Sequence, residues 1–77
     1  MVAHIELKLF ASLKAYLPQE AERFPITSGE SVEALIKRLG IPLDDVKLIF
    51  IDGIRADISS VLWGGERVGV FPPVGGG

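Results

Sequence analysis

One helix organises this sequence, and it lies in the stretch Ser31-Val32-Glu33-Ala34-Leu35-Ile36-Lys37-Arg38-Leu39-Gly40. Ser31 can cap the helix, because its hydroxyl can accept a hydrogen bond from a free amide of the first turn. The apolar side chains recur at the spacing of one helix face, which holds Val32, Leu35, Ile36 and Leu39. Gly40 suits the left-handed position after a helix, and Pro42 prevents its continuation. We therefore predict a helix over residues 31–39 with one buried face.

Apolar residues elsewhere in the chain alternate with polar ones at the period of a half-buried strand. We predict strands at residues 2–10, 22–26, 47–51, 54–58 and 67–71. Pro25 has no N–H for a strand ladder, which places its strand at an edge of the sheet. The Asp52-Gly53 pair predicts a tight hairpin turn between two of the strands. Residues 59–65 are expected to form a loop. A short helical turn is expected over Leu13, Tyr16 and Leu17, and a turn or short helical piece at residues 43–46.

A single short helix can cover a hydrophobic core only by packing across a sheet. The chain has 77 residues, which is room for one domain. We expect the helix face to pack on apolar strand residues, namely Ile5, Leu7, Leu9, Phe50, Val68 and Val70. The sequence therefore predicts an α+β domain over residues 1–71, in which a small mixed sheet packs against one main helix, followed by an extended tail over residues 72–77.

Composition narrows the classes of function. The formal net charge is −2, from 8 basic and 10 acidic residues, without the basic stripe that nucleic-acid binders carry. The chain has no cysteine, which excludes a disulfide framework and a cysteine nucleophile. Its start lacks a signal-peptide pattern, and no stretch approaches the roughly 20 apolar residues of a membrane span. We expect a cytoplasmic protein that binds neither nucleic acid nor membranes.

Ordinary catalytic groups are sparse in this sequence. His4 is the only histidine, so neither a metal site nor a catalytic pair is predicted around it. The carboxylates of Asp44-Asp45 do not face each other on a helix and are expected in a solvated turn. Ser59-Ser60 has no base or elbow glycines nearby, and Gly64-Gly65 lacks the Lys-Ser or Lys-Thr of a phosphate loop. Trp63 is expected to pack within the loop or core rather than to anchor a partner.

The last residues stand apart from the rest of the chain. Pro72 and Pro73 fix their φ angles and hold the departing chain extended. The glycines at positions 75–77 carry no side chains, so the six residues from Pro72 can reach up to roughly 20 Å into a narrow channel. Such a tail can present a terminal carboxylate at a buried site of a partner. Phe71 is expected to anchor this surface, because interfaces concentrate binding energy in a few buried aromatic groups.

The resemblance to a known family is clearest in the ending Val70-Phe71-Pro72-Pro73-Val74-Gly75-Gly76-Gly77. It resembles MoaD, the small subunit of molybdopterin synthase, whose members typically finish in a Phe-Pro-Pro-Val segment and a Gly-Gly. Phe10-Ala11-Ser12-Leu13 looks like the family's start, and the entry to the helix at Ser31 also looks similar. Ile51-Asp52-Gly53 stands where the family usually has Val-Asn-Gly. The sequence is identified as a member of the MoaD/ThiS family of ubiquitin-like sulfur carriers, closer to MoaD because ThiS proteins usually lack the Pro-Pro.

The resemblance implies a ubiquitin-like β-grasp fold and a carrier chemistry. An ATP-dependent MoeB/ThiF-like enzyme would adenylate the carboxylate of Gly77, and sulfur would then replace an oxygen to give a thiocarboxylate. A MoaE-like large subunit, or another acceptor enzyme, would use that sulfur, with molybdopterin biosynthesis the expected pathway. The carrier itself would need no catalytic side chain, metal or bound cofactor. The residues expected to contact partners are Phe71, Pro72, Pro73, Val74, Gly75 and Gly76.

Two other classes of function share parts of this pattern. A ubiquitin-like modifier would be joined through Gly77 to lysines on other proteins, and it would have every feature of the tail. A plain interaction domain would carry the glycines incidentally, an interpretation that the Pro-Pro pair disfavours. The final sulfur acceptor stays open among molybdopterin, a tungsten-cofactor precursor, an amino acid and the thiazole that a ThiS-like carrier serves in thiamine biosynthesis.

Overall fold

The computed structural model describes residues 2–73. Within this range the chain forms seven strands: β1 (Val2–Leu9), β2 (Phe24–Thr27), β3 (Glu30–Ser31), β4 (Leu48–Ile51), β5 (Ile54–Ala56), β6 (Val61–Leu62) and β7 (Arg67–Phe71). It also forms one α-helix, α1 (Val32–Arg38), and three short 3-10 helices at Ala11–Tyr16, Ala21–Arg23 and Leu43–Asp45. The predicted elements are therefore present in their predicted order, together with two additional short strands and an additional 3-10 helix at Ala21–Arg23. That helix takes residues 22 and 23, which were predicted to begin the second strand, and β5 ends before the predicted residues 57 and 58.

The strands pair into one mixed sheet of five and one small sheet of two. The larger sheet has the order β2-β1-β7-β4-β5, and β3 pairs with β6 in the smaller one. Strands β1 and β7 are parallel, whereas the other pairs are antiparallel. Pro25 lies on β2 at an edge of the larger sheet, so its predicted position is confirmed. Strand β7 is the central strand.

The helix forms for the reasons that its sequence suggests. The Ser31 hydroxyl accepts a hydrogen bond from the Ala34 N–H at 3.1 Å, which satisfies one of the free amides of the first turn. Gly40 follows with φ +80°, the left-handed conformation that glycine adopts without strain. Three side chains of the predicted apolar face are completely buried against the sheet, namely Val32, Leu35 and Ile36, and Leu39 packs at its margin.

The core differs from the prediction at one strand position. Ile5, Leu7, Leu9, Val68 and Val70 are buried beneath the helix, as predicted, but Phe50 is not. In β4 it is Ile49 that pairs with Val70, so Ile49 faces the core. Phe50 is the next residue along the strand, and successive side chains of a strand point to opposite faces. Phe50 therefore lies on the face away from the helix, and its assignment to the core was wrong.

The segment predicted as a loop over residues 59–65 is partly ordered as a strand. Val61–Leu62 forms β6, and Leu62 is fully buried beside the helix residues. Two-residue strands are too short to show a period, so no sequence pattern predicts them. The hairpin prediction is confirmed: Asp52 and Gly53 both have positive φ, +53° and +82°, as the tight turn between β4 and β5 requires.

Candidate functional site

The chain leaves the fold at the end of the central strand. Phe71 is the last residue of β7, and its carbonyl accepts a hydrogen bond from the Lys47 N–H at 2.8 Å. Pro72 is half-buried and Pro73 is exposed. The backbone is thus hydrogen-bonded to the sheet up to Phe71, and the departing segment begins with two residues that have no N–H to continue a ladder.

The remaining predicted tail residues lie outside the described range. These are Val74, Gly75, Gly76 and Gly77. Their partner contacts and the activation of the Gly77 carboxylate stay predictions, as does the boundary between domain and tail after residue 71.

Three phenylalanine rings cluster on the face of the sheet opposite α1. The Phe10 and Phe71 rings are stacked, with centroids 4.1 Å apart and an angle of 2° between their planes. The Phe50 ring meets Phe71 edge to face, with centroids 5.7 Å apart and an angle of 81°. We call this cluster the aromatic face. It adjoins the point where Pro72 leaves the sheet, because Phe71 is the last residue of β7.

A groove of about 310 Å³ runs across the aromatic face. It is lined by Lys8, Phe10, Phe50, Gly53, Arg67, Gly69 and Phe71. Gly69 pairs with Lys8 on one side and with Phe50 on the other, so bare backbone forms the sheet surface between these side chains. The groove is therefore an apolar depression whose walls are aromatic and whose rim is charged.

The rim of the groove is predominantly cationic. Lys8 and Arg67 both approach the Glu6 carboxylate, at 3.5 Å and 3.4 Å, and Arg55 lies beside Phe50 on the next strand. The Asp52 carboxylate accepts a hydrogen bond from the Arg67 backbone N–H at 2.9 Å. Exposed ion pairs of this kind contribute little to stability, so Lys8 and Arg67 can leave Glu6 for another carboxylate at little cost. Three cations around the groove, Lys8, Arg55 and Arg67, thus stand against the carboxylates of Glu6 and Asp52, although the whole chain carries a net charge of −2.

The groups that sequence reasoning set aside stay apart in the structure. His4 lies opposite Pro25 in the sheet, and Asp44 and Asp45 are exposed in a 3-10 turn, as predicted. No three His, Cys, Asp or Glu side chains between residues 2 and 73 are placed to hold a metal ion. None of the helices in that range is long and apolar enough to span a membrane. Trp63 is 65% exposed, so of the two expected places, the loop and the core, the core was wrong.

The sequence prediction missed most of the groove. It selected Phe71 but not Phe10, Lys8 or Gly69, and it placed Phe50 in the core. The alternation of β1 contained a usable signal, because Lys8 and Phe10 flank the buried Leu9 and must share the opposite face. The parallel pairing of β1 with β7 brings Phe10 and Phe71 together, and strand pairing cannot be deduced from a single sequence.

This mixed sheet, crossed by one helix, with an aromatic face beside the departing chain, defines a small ubiquitin-like protein of the β-grasp class. The model of the Mut7-C ubiquitin family matches residues 2–75, nearly the whole chain, and the protein belongs to that family. A comparison with curated protein sequences gives no match.

Solved structures of other proteins share this fold. The HVO 2177 protein of Haloferax volcanii, known from a solution structure, is 22% identical over 99% of this chain and 88% of its own, with a TM-score of 0.75. The "putative molybdopterin converting factor, subunit 1" of Pyrococcus furiosus is 25% identical over 94% and 99%, with a TM-score of 0.66. SAMP1 of Haloferax volcanii is 21% identical over 97% and 100%, with a TM-score of 0.67. The predicted ubiquitin-like fold and the resemblance to MoaD-type proteins are thereby confirmed.

Proposed function

We propose that this protein is a sulfur carrier whose working group is the carboxylate of Gly77. The observation that carries the proposal is the place where the chain leaves the fold. Strand β7 is central and holds the chain up to Phe71, and the Pro72-Pro73 pair then directs it away from the sheet beside the aromatic face. Gly75, Gly76 and Gly77 have no side chains, so these residues would bring only backbone into a partner's active site.

The carrier chemistry needs little from the carrier itself. A free carboxylate is a poor electrophile, since its charge repels nucleophiles. A partner enzyme of the MoeB/ThiF type would join the Gly77 carboxylate to the AMP moiety of ATP, with release of pyrophosphate. A sulfur nucleophile supplied to that enzyme would then attack the acyl carbon, and the C–O bond to AMP would break to leave a thiocarboxylate. The magnesium and basic groups that handle the phosphates would belong to the partner.

The aromatic face is the surface that such a partner would bind. Interfaces concentrate their energy in a few aromatic groups, and Phe10, Phe50 and Phe71 lie together beside the departing chain. The cationic rim favours an acidic surface on the partner and would accelerate association at low salt. Docking on this face would set the starting point of the tail, so that its fixed length determines where the carboxylate arrives.

Molybdopterin biosynthesis is the pathway that we propose. The likeness to the Pyrococcus furiosus protein, at 25% identity over nearly the full length of both chains, supports it. The Phe71-Pro72-Pro73-Val74 segment and the following glycines support it too, because they resemble the MoaD ending. A MoaE-like large subunit would then take the sulfur within a molybdopterin synthase-type complex. The chain would contribute position and a thiocarboxylate, with no catalytic side chain of its own.

The experiment is a thiocarboxylation assay with three chains. The 77-residue chain, the chain lacking Gly77 and a chain with one residue appended after Gly77 are each incubated with the source organism's MoeB/ThiF-like enzyme, ATP and sulfide. Intact-protein mass spectrometry then detects replacement of one oxygen by sulfur. Only the 77-residue chain is expected to react, because removal of Gly77 withdraws the carboxylate by up to ~3.5 Å. Misplacement of about 1 Å can cost about a hundredfold in rate.

The same assay has outcomes that contradict the proposal. A truncated chain that gains sulfur as readily as the 77-residue chain would show that the reacting group is not the Gly77 carboxylate. Isopeptide conjugates between Gly77 and protein lysines, formed without any thiocarboxylate, would show a ubiquitin-like modifier instead. The circular dichroism spectra of the three chains should coincide, which would exclude unfolding as the reason for lost activity.

A further inference from the structure

Gly69 occupies a position where the fold itself does not need glycine. It lies inside β7, and glycine weakens the interior of a strand because it has much freedom to lose and no side chain to pack. Its φ is not among the positive values that favour glycine. A Cβ built there would have Phe10 Cε2 as its nearest neighbour, at 3.4 Å, which is the edge of ordinary contact. An alanine would therefore fit.

Gly64 shows what a structurally required glycine looks like in the same chain. Its φ is +127°, and a Cβ there would lie 2.7 Å from the Ala3 Cβ. Both backbone conformation and space demand glycine at Gly64, whereas neither does at Gly69. The missing side chain at Gly69 instead creates the depth of the groove, since the residue lies between Lys8 and Phe50 on the open face.

The groove has the size and chemistry of a receptor for one side chain. Its volume is about 310 Å³, and its walls are the stacked pair Phe10–Phe71 and the ring of Phe50. Small-molecule sites of this volume usually have several polar groups that converge inside the pocket to fix orientation. Here the polar groups lie on the rim, where Lys8 and Arg67 share the single carboxylate of Glu6. An apolar group flanked by negative charge complements this arrangement.

We infer that Gly69 keeps the groove open for one apolar side chain of the activating enzyme, carried on a segment whose acidic residue pairs with Lys8 or Arg67. This inference rests on the proposed function, because it assigns the occupant to the enzyme that takes the tail. The groove ends at Phe71, directly before Pro72, so an enzyme that holds the tail has its surface against the groove. The cationic rim provides the charge complementarity that selects an acidic segment over a neutral one.

The test fills the groove without touching the tail. Gly69→Leu places an isobutyl group between the rings, and Gly69→Ala places a single methyl group there. KM for the carrier and kcat are measured by thiocarboxylation with the MoeB/ThiF-like enzyme, ATP and sulfide. We expect KM to rise at least about tenfold for Gly69→Leu, which corresponds to about 1.4 kcal/mol of lost binding, and less for Gly69→Ala. The matched control is Ala34→Leu, an exposed position on α1 that should leave KM unchanged.

A stability measurement separates this role from a structural one. Gly69→Ala should melt no lower than the wild type, because alanine replaces a glycine in a strand and its methyl group has space in the groove. A structural role would lower the melting temperature together with affinity, whereas the inference predicts weaker binding by a protein of equal or higher stability. The double charge reversal Lys8→Glu with Arg67→Glu should also raise KM, and it should abolish the weakening of binding by added salt.

The outcomes distinguish the inference from the proposed function. If the wild-type chain gains sulfur and Gly69→Leu does so with unchanged KM, the groove is not the receptor and the carrier function stands. If the wild-type chain gains no sulfur, the carrier function fails and the assignment of the occupant fails with it. If the wild-type chain sediments as a dimer that Gly69→Leu converts to a monomer, the occupant is a second copy of this chain, and the enzyme assignment is overturned.

Discussion

Leu35 offers the sharpest test of how this fold is held together. It lies in the middle of α1, and its side chain is 0% exposed, packed against the sheet together with Val32 and Ile36. The helix has only seven residues, too short to be stable by itself in water. The helix therefore depends on burial of this face, and Leu35→Ala should destabilise the whole domain.

The expected size of the effect follows from the atoms removed. Leu35→Ala deletes three carbons, and each buried CH₂ contributes about 0.8 kcal/mol, so transfer alone accounts for about 2 kcal/mol. The cavity left under a short helix raises the expected loss to about 2–5 kcal/mol. A chain of 77 residues has a total stability of about 4–12 kcal/mol. One substitution should thus remove a large share of the free energy of unfolding.

Urea denaturation followed by circular dichroism measures this loss. The matched control is Leu17→Ala, which deletes the same atoms at a position that is 46% exposed and should cost about 1 kcal/mol or less. Thermal melting should agree, with a decrease of at least about 8 °C for Leu35→Ala, since 1 kcal/mol shifts the midpoint of a domain this size by about 4–8 °C. Equal losses for the two variants would refute the assignment of the core to this helix face.

Two further predictions concern the hairpin turn and the aromatic face. Asp52→Ala should destabilise the domain by about 1–3 kcal/mol in urea denaturation, because alanine is strained at φ +53° and cannot accept the hydrogen bond from the Arg67 N–H. Asp52→Asn should stay near wild type, because asparagine tolerates this φ and its side-chain oxygen can accept the same hydrogen bond. Phe71→Ala should weaken calorimetric binding to the activating enzyme by more than about 1 kcal/mol while the domain stays folded. Unchanged affinity would place the anchor elsewhere.

The features that could be predicted from the sequence are those with local causes. Ser31, Gly40 and the spacing of the apolar residues predict the helix, and all of them lie within one short stretch. The hairpin follows from Asp52-Gly53, because few residue pairs tolerate two successive positive φ angles. The edge position of β2 follows from Pro25, which cannot donate to a second neighbour. Each of these inferences needed only a few adjacent residues.

The errors arose where the outcome depends on distant residues. Phe50 looks like a core residue because it is large and apolar, and only the pairing of β4 with β7 shows that Ile49 takes the core position. Leu62 is fully buried in a segment that was predicted as a loop, because β6 becomes a strand by pairing with β3 about thirty residues earlier. The sequence contains no local trace of either pairing.

The candidate site has one part that can be inferred from adjacent residues and one part that depends on strand pairing. The tail stays a prediction, made from the local effects of proline and glycine, and residues 74–77 lie outside the described range. The groove was not predicted, since it is assembled from β1, β4 and β7, whose order in the sheet differs from their order in the sequence. Phe71 lines the groove and directly precedes Pro72, which is why sequence reasoning reached it while missing the ring of Phe10 stacked on it at 4.1 Å.

The five residues of strand β7 contribute both to the hydrophobic core and to the groove. Val68 and Val70 face the helix and are completely buried, so they hold the fold together. Arg67, Gly69 and Phe71 alternate with them and face the groove. Because successive side chains of the strand point to opposite faces, the core and the proposed partner surface use different residues of β7. The same strand then continues into Pro72, so the groove and the departing segment share one support.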